Sequence, residues 1–318
     1  MKKKLLVCGG TGFIGRNIAE KFAADPDYEV FATYHHSAPY SFPGVTLVKA
    51  DLTKPEEVSV LLKGKDMLIQ AAATTSGAKD IVNKPHYHVT DNAVMNALLF
   101  RGAAENNISH VVFFSCTTMY KSSDKAVKET DFDANADMSP VYFGGAWTKV
   151  YNEKMCEFYS RISKTRFSVI RHSNIYGPYD KFDLERSHVF GATVTKVMKA
   201  ADNGKLVVWG EGTEERDLLF ISDLVELTAL VLKMQSSSFE LFNAGCGSSI
   251  SVRKLVETII RRSGKNLSIE HDLSKPSIKT KLFLDIKKAG ELFGWKPRTT
   301  LEEGIDKTIK WYKTNILK

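Results

Sequence analysis

Three glycines at intervals of three residues follow the first apolar run of the chain and could bind a phosphate group. Gly9, Gly12 and Gly15 come just after Leu5-Leu6-Val7 and before the helix-like stretch Arg16–Ala24. The first glycine allows a tight turn, the second lets the backbone approach a pyrophosphate, and the third lets the helix pack closely on the sheet. The phosphates would face free N–H groups at the positive end of the helix dipole. The motif predicts a dinucleotide site rather than a purely structural turn, and the site also includes Thr11, Phe13 and Ile14.

The choice between NAD and NADP depends on the residues that follow the second predicted strand. An acidic residue there contacts the adenosine ribose of NAD, whereas a basic residue accommodates the 2′-phosphate of NADP. This chain has Tyr34-His35-His36, which fits neither pattern. Because a fixed cation is missing, we expect NAD and consider NADP the alternative.

Composition and charge exclude several classes of protein. The chain has 318 residues, of which 43% are hydrophobic and 25% charged, with a formal net charge of +7. Its apolar runs stay far below the ~20 residues of a membrane span, and the first one is too short for a signal peptide. Basic residues are spread along the chain instead of clustering between aromatic residues. This distribution argues against nucleic acid and suits a small phosphate-bearing substrate.

The four cysteines are scattered and form neither a CxxC pair nor a metal-ligand spacing. They are Cys8, Cys116, Cys156 and Cys246. In a chain without a secretion signal, such cysteines are typical of reduced thiols in the cytoplasm. We therefore expect a cytoplasmic protein without a metal site.

Short apolar runs alternate with amphipathic stretches in the first half of the chain, which is the pattern of βαβ units. The predicted strands there are Lys4–Cys8, Glu29–Tyr34, Val45–Lys49, Met67–Gln70, His110–Ser115 and Phe167–Arg171. The predicted helices are Ile14–Ala24, Glu56–Leu62, Asn92–Asn106 and Trp147–Ile162. We predict an α/β fold with a doubly wound parallel sheet of the Rossmann type in residues 1–172, with return segments near 217–245. Residues 173–318 are predicted to form a smaller, discontinuous α/β substrate-binding domain.

Landmarks along nearly the whole chain resemble the extended short-chain dehydrogenase/reductase family of nucleotide-sugar enzymes. They are Gly9–Gly15, Asp51-Leu52, Ala71-Ala72-Ala73, Asn92, Ser115-Cys116-Thr117, Asn174–Pro178 and Gly210–Arg216. The resemblance implies an NAD-type cofactor. It places the cofactor-binding residues, besides the glycine motif, at Tyr34, His35, Asp51, Leu52, Ala71, Ala72, Ala73, Asn92, Ser115, Lys149 and His172.

Two stretches are most similar to the GDP-sugar branch of that family, the GDP-fucose synthase-like enzymes. They run from Asn174 to Val189 and from Val207 to Arg216. The resemblance implies a GDP-sugar pocket lined by Thr118, Asn174, Ser187, His188, Val189, Lys196, Val208, Trp209, Arg216 and Lys281. The fork of the Arg216 guanidinium suits a diphosphate, although a surface salt bridge to Glu214 or Glu215 is the alternative.

Catalysis in the family uses a tyrosine, a lysine four residues later and a nearby serine or threonine. The resemblance assigns the lysine to Lys149, but Gly145 stands where the tyrosine is expected. The nearest replacement is Tyr142, seven residues before the lysine, or about 10 Å along a helix axis. Gly144-Gly145 predicts a local bulge that brings Tyr142 back toward the cofactor. Core packing is the alternative role for this tyrosine.

The residues after the fifth strand also depart from the family. Cys116 replaces the usual serine, and it is either a reactive thiol or a small core residue. Thr117 can supply the orienting hydroxyl. Thr118 stands where GDP-fucose synthase-like enzymes keep an epimerisation cysteine that works with a histidine, here His188. A threonine hydroxyl cannot readily move protons at carbon, so double epimerisation is disfavoured.

These features together favour an NAD-dependent oxidoreductase acting at C4 of a GDP-activated sugar. By resemblance, the nearest kind is a GDP-manno-heptose 4-dehydrogenase in capsule or lipopolysaccharide synthesis. A GDP-4-keto-6-deoxyhexose reductase or a nucleotide-sugar 4-epimerase is the alternative enzyme. A non-catalytic dinucleotide-binding regulatory protein is the alternative from another class.

The resemblance further implies a homodimer or a dimer of dimers. Family members often pair two helices of each subunit into a four-helix bundle, here Asn92–Asn106 and Trp147–Ile162. Apolar positions such as Val94, Leu98 and Tyr151 suit that contact. The alternative is that these side chains face only their own sheet.

Overall fold

Seven parallel strands form the central sheet of the protein. The computed structural model describes residues 1–74, 86, 89–136, 138–184, 187–274 and 280–317. The strands are β1 (Lys3–Cys8), β2 (Tyr28–Tyr34), β3 (Val45–Lys49), β4 (Met67–Gln70), β5 (His110–Ser115), β6 (Arg166–His172) and β11 (Phe239–Ala244). Their order is β11-β6-β5-β4-β1-β2-β3, and every neighbouring pair is parallel. The first six strands follow the Rossmann order, with the switch point between β1 and β4, so the predicted doubly wound fold is confirmed.

Five helices cover the two faces of this sheet. They are α1 (Phe13–Ala23), α2 (Pro55–Leu62), α3 (Thr90–Glu105), α4 (Phe143–Ile162) and α6 (Ile221–Met234). Leu5 and Val7 belong to the core beneath α1 and α6, whereas Leu6 and Cys8 belong to the core beneath α2, α3 and α4. This alternation follows from the two-residue period of a strand, and it explains why β1 is apolar throughout.

The remaining elements lie mainly in the second half of the chain. The strands are β7 (Asn174–Tyr176), β8 (Lys205–Trp209), β9 (Glu215–Arg216), β10 (Leu218–Phe220), β12 (Ile250–Ser251) and β13 (Ser268–Asp272). The helices are α5 (Val189–Lys199), α7 (Val252–Ser263), α8 (Lys287–Phe293) and α9 (Leu301–Asn315). β7 pairs with β10, β8 with β13, and β9 with β12. Their apolar residues join the core beneath α1 and α6, and the proposed division into two domains stays a prediction.

The start of α4 differs from the sequence-based prediction. The helix begins at Phe143 rather than Trp147, and the amide of Ala146 donates to the carbonyl of Tyr142 at 2.7 Å. Gly144-Gly145 is therefore regular helix, and the predicted bulge is wrong. A Cβ on Gly144 would lie 2.8 Å from the Val89 side chain, so a close approach to α3 explains that glycine better than a break in the helix.

Within the described ranges, no helix is long and apolar enough to cross a membrane.

Candidate functional site

The glycine turn joins β1 to α1 at the switch point of the sheet. Gly9 has φ of 80°, a conformation that glycine adopts without steric strain. A Cβ on Gly9 would lie 2.7 Å from Ala72 Cα, and one on Gly15 would lie 2.2 Å from the Gly9 carbonyl oxygen. Both glycines are thus required by close backbone contacts, one to the segment after β4 and one between α1 and the turn.

Gly12 is different, because its side of the turn is open. It is exposed, precedes α1 with φ of −82°, and has Gly9 O as the nearest atom to an added Cβ, at 3.2 Å. No side chain among the described residues caps α1 here, and the first turn, Phe13-Ile14-Gly15, carries no acid. Free N–H groups and open space at a helix N-terminus fit the pyrophosphate of a dinucleotide.

The residues predicted for the adenosine side gather at the ends of β2 and β3. His35 and His36 are exposed with ring centroids 3.8 Å apart, and His35 Nε2 lies 4.0 Å from Asp51 Oδ2. The Thr53 hydroxyl and amide donate to Asp51 Oδ1, and these bonds lower the pKa of the carboxyl. Asp51 is therefore ionised at neutral pH. Leu52 packs in the core instead.

Asn92 has a structural partner that the sequence did not reveal. Its side-chain oxygen accepts from the Thr74 amide at 2.9 Å, and its amide donates to the Thr74 carbonyl at 3.0 Å. The side chain is buried and holds the segment after β4, and its contact with the cofactor stays a prediction. In that segment Ala71 and Ala72 are half-buried, and Ala73 is exposed.

Lys149 projects from α4 toward the carboxyl end of β5. Its Nζ donates to the Phe114 carbonyl at 2.8 Å and lies 4.8 Å from the Phe113 ring centroid. Burial lowers the pKa of the ammonium group, whereas the Cys116 thiol and the Glu153 carboxylate act in the opposite direction. The predicted lysine thus lies beside the end of β5, the strand that Cys116 and Thr117 follow.

Tyr142 is the residue directly before α4, two helical turns from Lys149. It is half-buried, and burial raises the pKa of its phenol, with a smaller opposing effect of Arg216 and a further increase from the Cys116 thiol. The tyrosine therefore lies within electrostatic range of Cys116 and Arg216. Its phenol is protonated at neutral pH.

The segment after β5 carries three consecutive polar side chains at the same edge. Cys116 Sγ lies 3.1 Å from Thr118 Oγ1, and Thr117 between them is half-buried. Ser115, by contrast, is completely buried and donates to Glu153 Oε1 at 2.6 Å. Its side chain is thus part of the core, and its role as a cofactor contact stays a prediction.

A buried ion pair supports this edge from below, and the sequence analysis missed it. Glu153 accepts two bonds from Arg171, at 2.9 and 2.6 Å, in addition to the bond from Ser115. Arg171 also donates to the hydroxyl of Tyr120 at 2.8 Å. The pair ties α4 to the ends of β5 and β6. The available signal was the four-residue spacing from Lys149 to Glu153, which puts both on one face of the helix.

Two histidines border the same region. His172 Nδ1 lies 2.7 Å from the Ser173 carbonyl oxygen, and burial lowers the pKa of the ring to about 4, with additional effects of Lys149 and His188. His188 is the residue directly before α5. It is accessible to solvent, yet the surrounding protein partly desolvates its imidazole ring and thereby lowers the pKa of the ring. His172 is therefore a neutral imidazole at pH 7.

Several residues predicted for the substrate line β8, β9 and the start of α5. Lys196 Nζ donates to the Val207 carbonyl at 3.0 Å and lies 5.7 Å from the centroid of the Trp209 ring. Trp209 is 52% exposed. Val208 between them is buried. The exposed indole offers a flat apolar surface for a nucleobase.

The other predicted substrate residues have partners in the protein. Arg216 Nη1 donates to the Thr280 carbonyl and hydroxyl at 3.0 and 2.7 Å, and burial lowers its pKa. Lys281 pairs with Asp124 and Glu215, at 3.3 and 3.4 Å. Asn174 Nδ2 donates to a main-chain carbonyl, that of Asp217, at 3.2 Å.

The stretch from Asn174 to Val189 reaches the start of α5. Ser187 Oγ donates to the Lys181 carbonyl at 2.5 Å, and Val189 is the first residue of the helix. Residues 185 and 186 of this stretch lie outside the described residues. Among the described residues, no three His, Cys, Asp or Glu side chains gather as metal ligands.

Comparison with known proteins gives consistent results for sequence and fold. A model of the NAD dependent epimerase/dehydratase family matches residues 5–245. The chain is 30% identical to GDP-L-fucose synthase from Sinorhizobium fredii, covering 99% of this chain and 96% of that protein. It is 26% identical to GDP-L-colitose synthase from Yersinia pseudotuberculosis, covering 97% of each.

The fold is similar to that of UDP-glucose 4-epimerase from Thermotoga maritima. The TM-score is 0.86 at 20% identity, covering 98% of this chain and 99% of that one. Because the family match spans most of the chain and the sequence relatives align along nearly their whole length, the resemblance inferred from the motifs is confirmed. The chain belongs to the NAD dependent epimerase/dehydratase family and is an enzyme of the short-chain dehydrogenase/reductase type.

Proposed function

We propose that this protein is an NAD-dependent oxidoreductase that oxidises C4 of a GDP-activated sugar. The observation that carries the proposal is the similarity, along nearly the whole chain, to two proteins named as GDP-sugar synthases. The exposed Trp209 beside Lys196 supports it, because an indole and a cation together suit a nucleobase and its phosphates.

The preference for NAD rests on the loop between β2 and β3. Residues 35–44 contain neither lysine nor arginine. Arg16 of α1 contacts this loop through Tyr40, but its guanidinium is already paired with Glu20. A 2′-phosphate would therefore meet the Asp51 carboxylate without a fixed cation to balance it, which disfavours NADP.

A nicotinamide cofactor held on the glycine turn would supply the hydride acceptor for C4 of the sugar. The C4–H bond breaks with its electron pair, the 4-hydroxyl loses its proton, and the C4–O bond becomes a carbonyl. Thr117 orients the hydroxyl, and Lys149 binds the cofactor ribose. Because the pKa of Tyr142 is raised, a standing tyrosinate is disfavoured. Tyr142 instead takes the sugar's proton while passing its own to solvent.

The product is expected to be the 4-keto sugar without further epimerisation. Thr118 occupies the position of the epimerisation cysteine in the GDP-fucose synthase-like enzymes, and its hydroxyl is engaged with Cys116. We propose a GDP-manno-heptose as the sugar, in capsule or lipopolysaccharide synthesis. Reduction of a GDP-4-keto-6-deoxyhexose, or 4-epimerisation, would use the same groups.

The proposed assembly is a homodimer, or a dimer of dimers, in the cytoplasm. The outer faces of α3 and α4 expose Val94, Tyr151 and Phe158, at 39%, 55% and 54%. Leu98, by contrast, is half-buried against the core of its own subunit. Exposed apolar side chains on two adjacent helices suit a helix-bundle interface.

Incubation with a panel of GDP-sugars and NAD tests the proposed activity. Mass spectrometry should detect a GDP-sugar that has lost two hydrogens, with a matching rise in reduced-nicotinamide absorbance. Dinucleotide binding without turnover of any GDP-sugar would overturn the proposed substrate class.

A further inference from the structure

Arg16 joins two segments that lie far apart in sequence. It is the fourth residue of α1, and its Cζ lies 4.0 Å from the ring centroids of both Tyr40 and Tyr179. Glu20, one turn further along α1, accepts from Arg16 Nε at 2.9 Å and from the Tyr179 hydroxyl at 3.2 Å. Tyr40 belongs to the loop between β2 and β3, and Tyr179 follows β7. A single guanidinium between two rings therefore fixes both segments to the glycine-turn helix.

The backbone of Tyr179 needs such support. Its φ is 70°, in the left-handed region that residues other than glycine rarely adopt, and such conformations persist only where surrounding contacts hold them. Asn17 of α1 donates to the carbonyl of Pro178 at 3.0 Å, directly before this residue. The Tyr179 ring also packs edge-on against Trp311, with centroids 5.0 Å apart.

Asp180 and Lys181, the two residues after Tyr179, lie against the first turn of α5. A Cβ on Gly191 would lie 2.4 Å from the Lys181 carbonyl oxygen and 3.5 Å from Asp180 Oδ2. That oxygen of Asp180 is buried and has no hydrogen-bond partner among the residues the structure describes. Ser187 donates to the same Lys181 carbonyl. Asp180 and Lys181, directly after Tyr179, thus pack against the first turn of α5, next to the predicted substrate residues Ser187, His188 and Val189.

We propose that Arg16 is a positioning residue for substrate binding. It holds Tyr179 in its left-handed conformation and thereby fixes Asp180, Lys181 and the first turn of α5 against the GDP moiety. The inference rests on the proposed function, since it takes GDP as the ligand at this helix start. Arg16 contacts neither ligand in this account, because its guanidinium is occupied by Glu20 and the two rings.

Calorimetric titration of the full chain with GDP and, separately, with NAD tests the role of Arg16. In Arg16→Met the Kd for GDP should rise about 10-fold, the equivalent of a lost cation–π contact and charged hydrogen bond. The Kd for NAD should rise by no more than about 3-fold, because the glycine turn does not depend on the guanidinium and only the loop at Tyr40 loses a contact. Arg16→Lys should give an intermediate Kd for GDP, since the charge remains but the planar stacking is lost. The matched control is Arg261→Met, an exposed arginine paired with Glu302 at 3.4 Å, which should change neither Kd.

The outcomes separate this inference from the proposed function. GDP affinity that is unchanged in Arg16→Met overturns the positioning role while the proposed function stands. Equal losses of GDP and NAD affinity, in step with a lower Tm, would also overturn it, because they indicate a merely structural contact. If wild-type protein does not bind GDP, both proposals fail. If Arg16→Met does not fold, Tyr179→Phe is the second variant, because it removes only the hydrogen bond from Tyr179 to Glu20. The inference then requires that the Kd for GDP rises by about 3-fold and that the Kd for NAD does not change.

Discussion

Gly12→Ala separates the requirements of cofactor binding from those of folding. Alanine is compatible with the φ of −82° and ψ of 166° at this position, and its Cβ would meet only Gly9 O, at 3.2 Å. We expect a loss of stability of about 1 kcal/mol, the difference between glycine and alanine at a helix N-cap. A loss of this size lowers the Tm by roughly 1.5 °C in a chain of 318 residues.

The effect on the cofactor should be much larger. The new methyl group would occupy the open side of the turn, where we place the pyrophosphate. Displacing the phosphates weakens at least two charge-assisted N–H bonds, each contributing about 1.5 kcal/mol or more, so the Kd for NAD should rise by more than about 100-fold. Fluorescence titration with NADH and a thermal melt of the same sample measure the two quantities.

Gly15→Ala provides the contrast. Its Cβ would lie 2.2 Å from Gly9 O and 2.8 Å from Gly9 C, which are backbone atoms that cannot swing aside. This variant should lose stability by about 3 kcal/mol or more, as expected of overpacking against rigid backbone. Wild-type NAD affinity in a folded Gly12→Ala protein would refute the placement of the pyrophosphate on this turn.

Three further predictions concern the catalytic edge and the core. Tyr142→Phe should lower turnover by about 10²- to 10⁴-fold and leave NAD affinity unchanged. Lys149→Met should lower both turnover and NAD affinity. Near-full activity of Tyr142→Phe would show that another group takes the proton. Glu153→Gln leaves a buried arginine without its charge partner and should destabilise by about 3 kcal/mol or more in urea titrations, unlike Glu157→Gln near the surface. Burial lowers the pKa of His110 to about 3. As pH falls through about 6.5, this histidine therefore binds a proton in the unfolded chain but not in the folded protein. This contribution to stability is complete above about pH 6.5 and is lost at about 1.4 kcal/mol per pH unit as pH falls toward 3. In urea titrations at pH about 6 and 4.5, His110→Gln should remove this part of the dependence of the unfolding free energy on pH.

The sequence predicted those features whose cause is local. β3, β4 and β5 have the predicted bounds because each is a short apolar run that pairs into the sheet. β4 and β5 are buried throughout, and β3 is partly buried at the sheet edge. The glycine turn was recognisable because the spacing of its three glycines lies within one βα unit, although the close contact of Gly9 is with Ala72 after β4. The start of α4 was not, since Gly144-Gly145 locally disfavours a helix, and the compensating contact comes from Val89, the residue directly before α3.

The same distinction applies within the candidate site. Ser115 and Asn92 follow the family pattern in sequence, yet their side chains bind Glu153 and Thr74, which belong to other elements. Arg16 looked like an ordinary polar residue of α1, because both of its aromatic partners are distant in the chain. Roles that arise from contacts between elements need the three-dimensional structure.

Hydride transfer from C4 of the sugar is the central claim, and isotope transfer tests it most directly. Wild-type protein is incubated with NAD and a GDP-sugar deuterated at C4, and the mass of the reduced nicotinamide is measured. The account predicts that the reduced cofactor carries the deuterium and that the sugar becomes an unlabelled 4-ketone. Reduced cofactor without deuterium, or a GDP-sugar that keeps its label while the protein binds NAD, would contradict it.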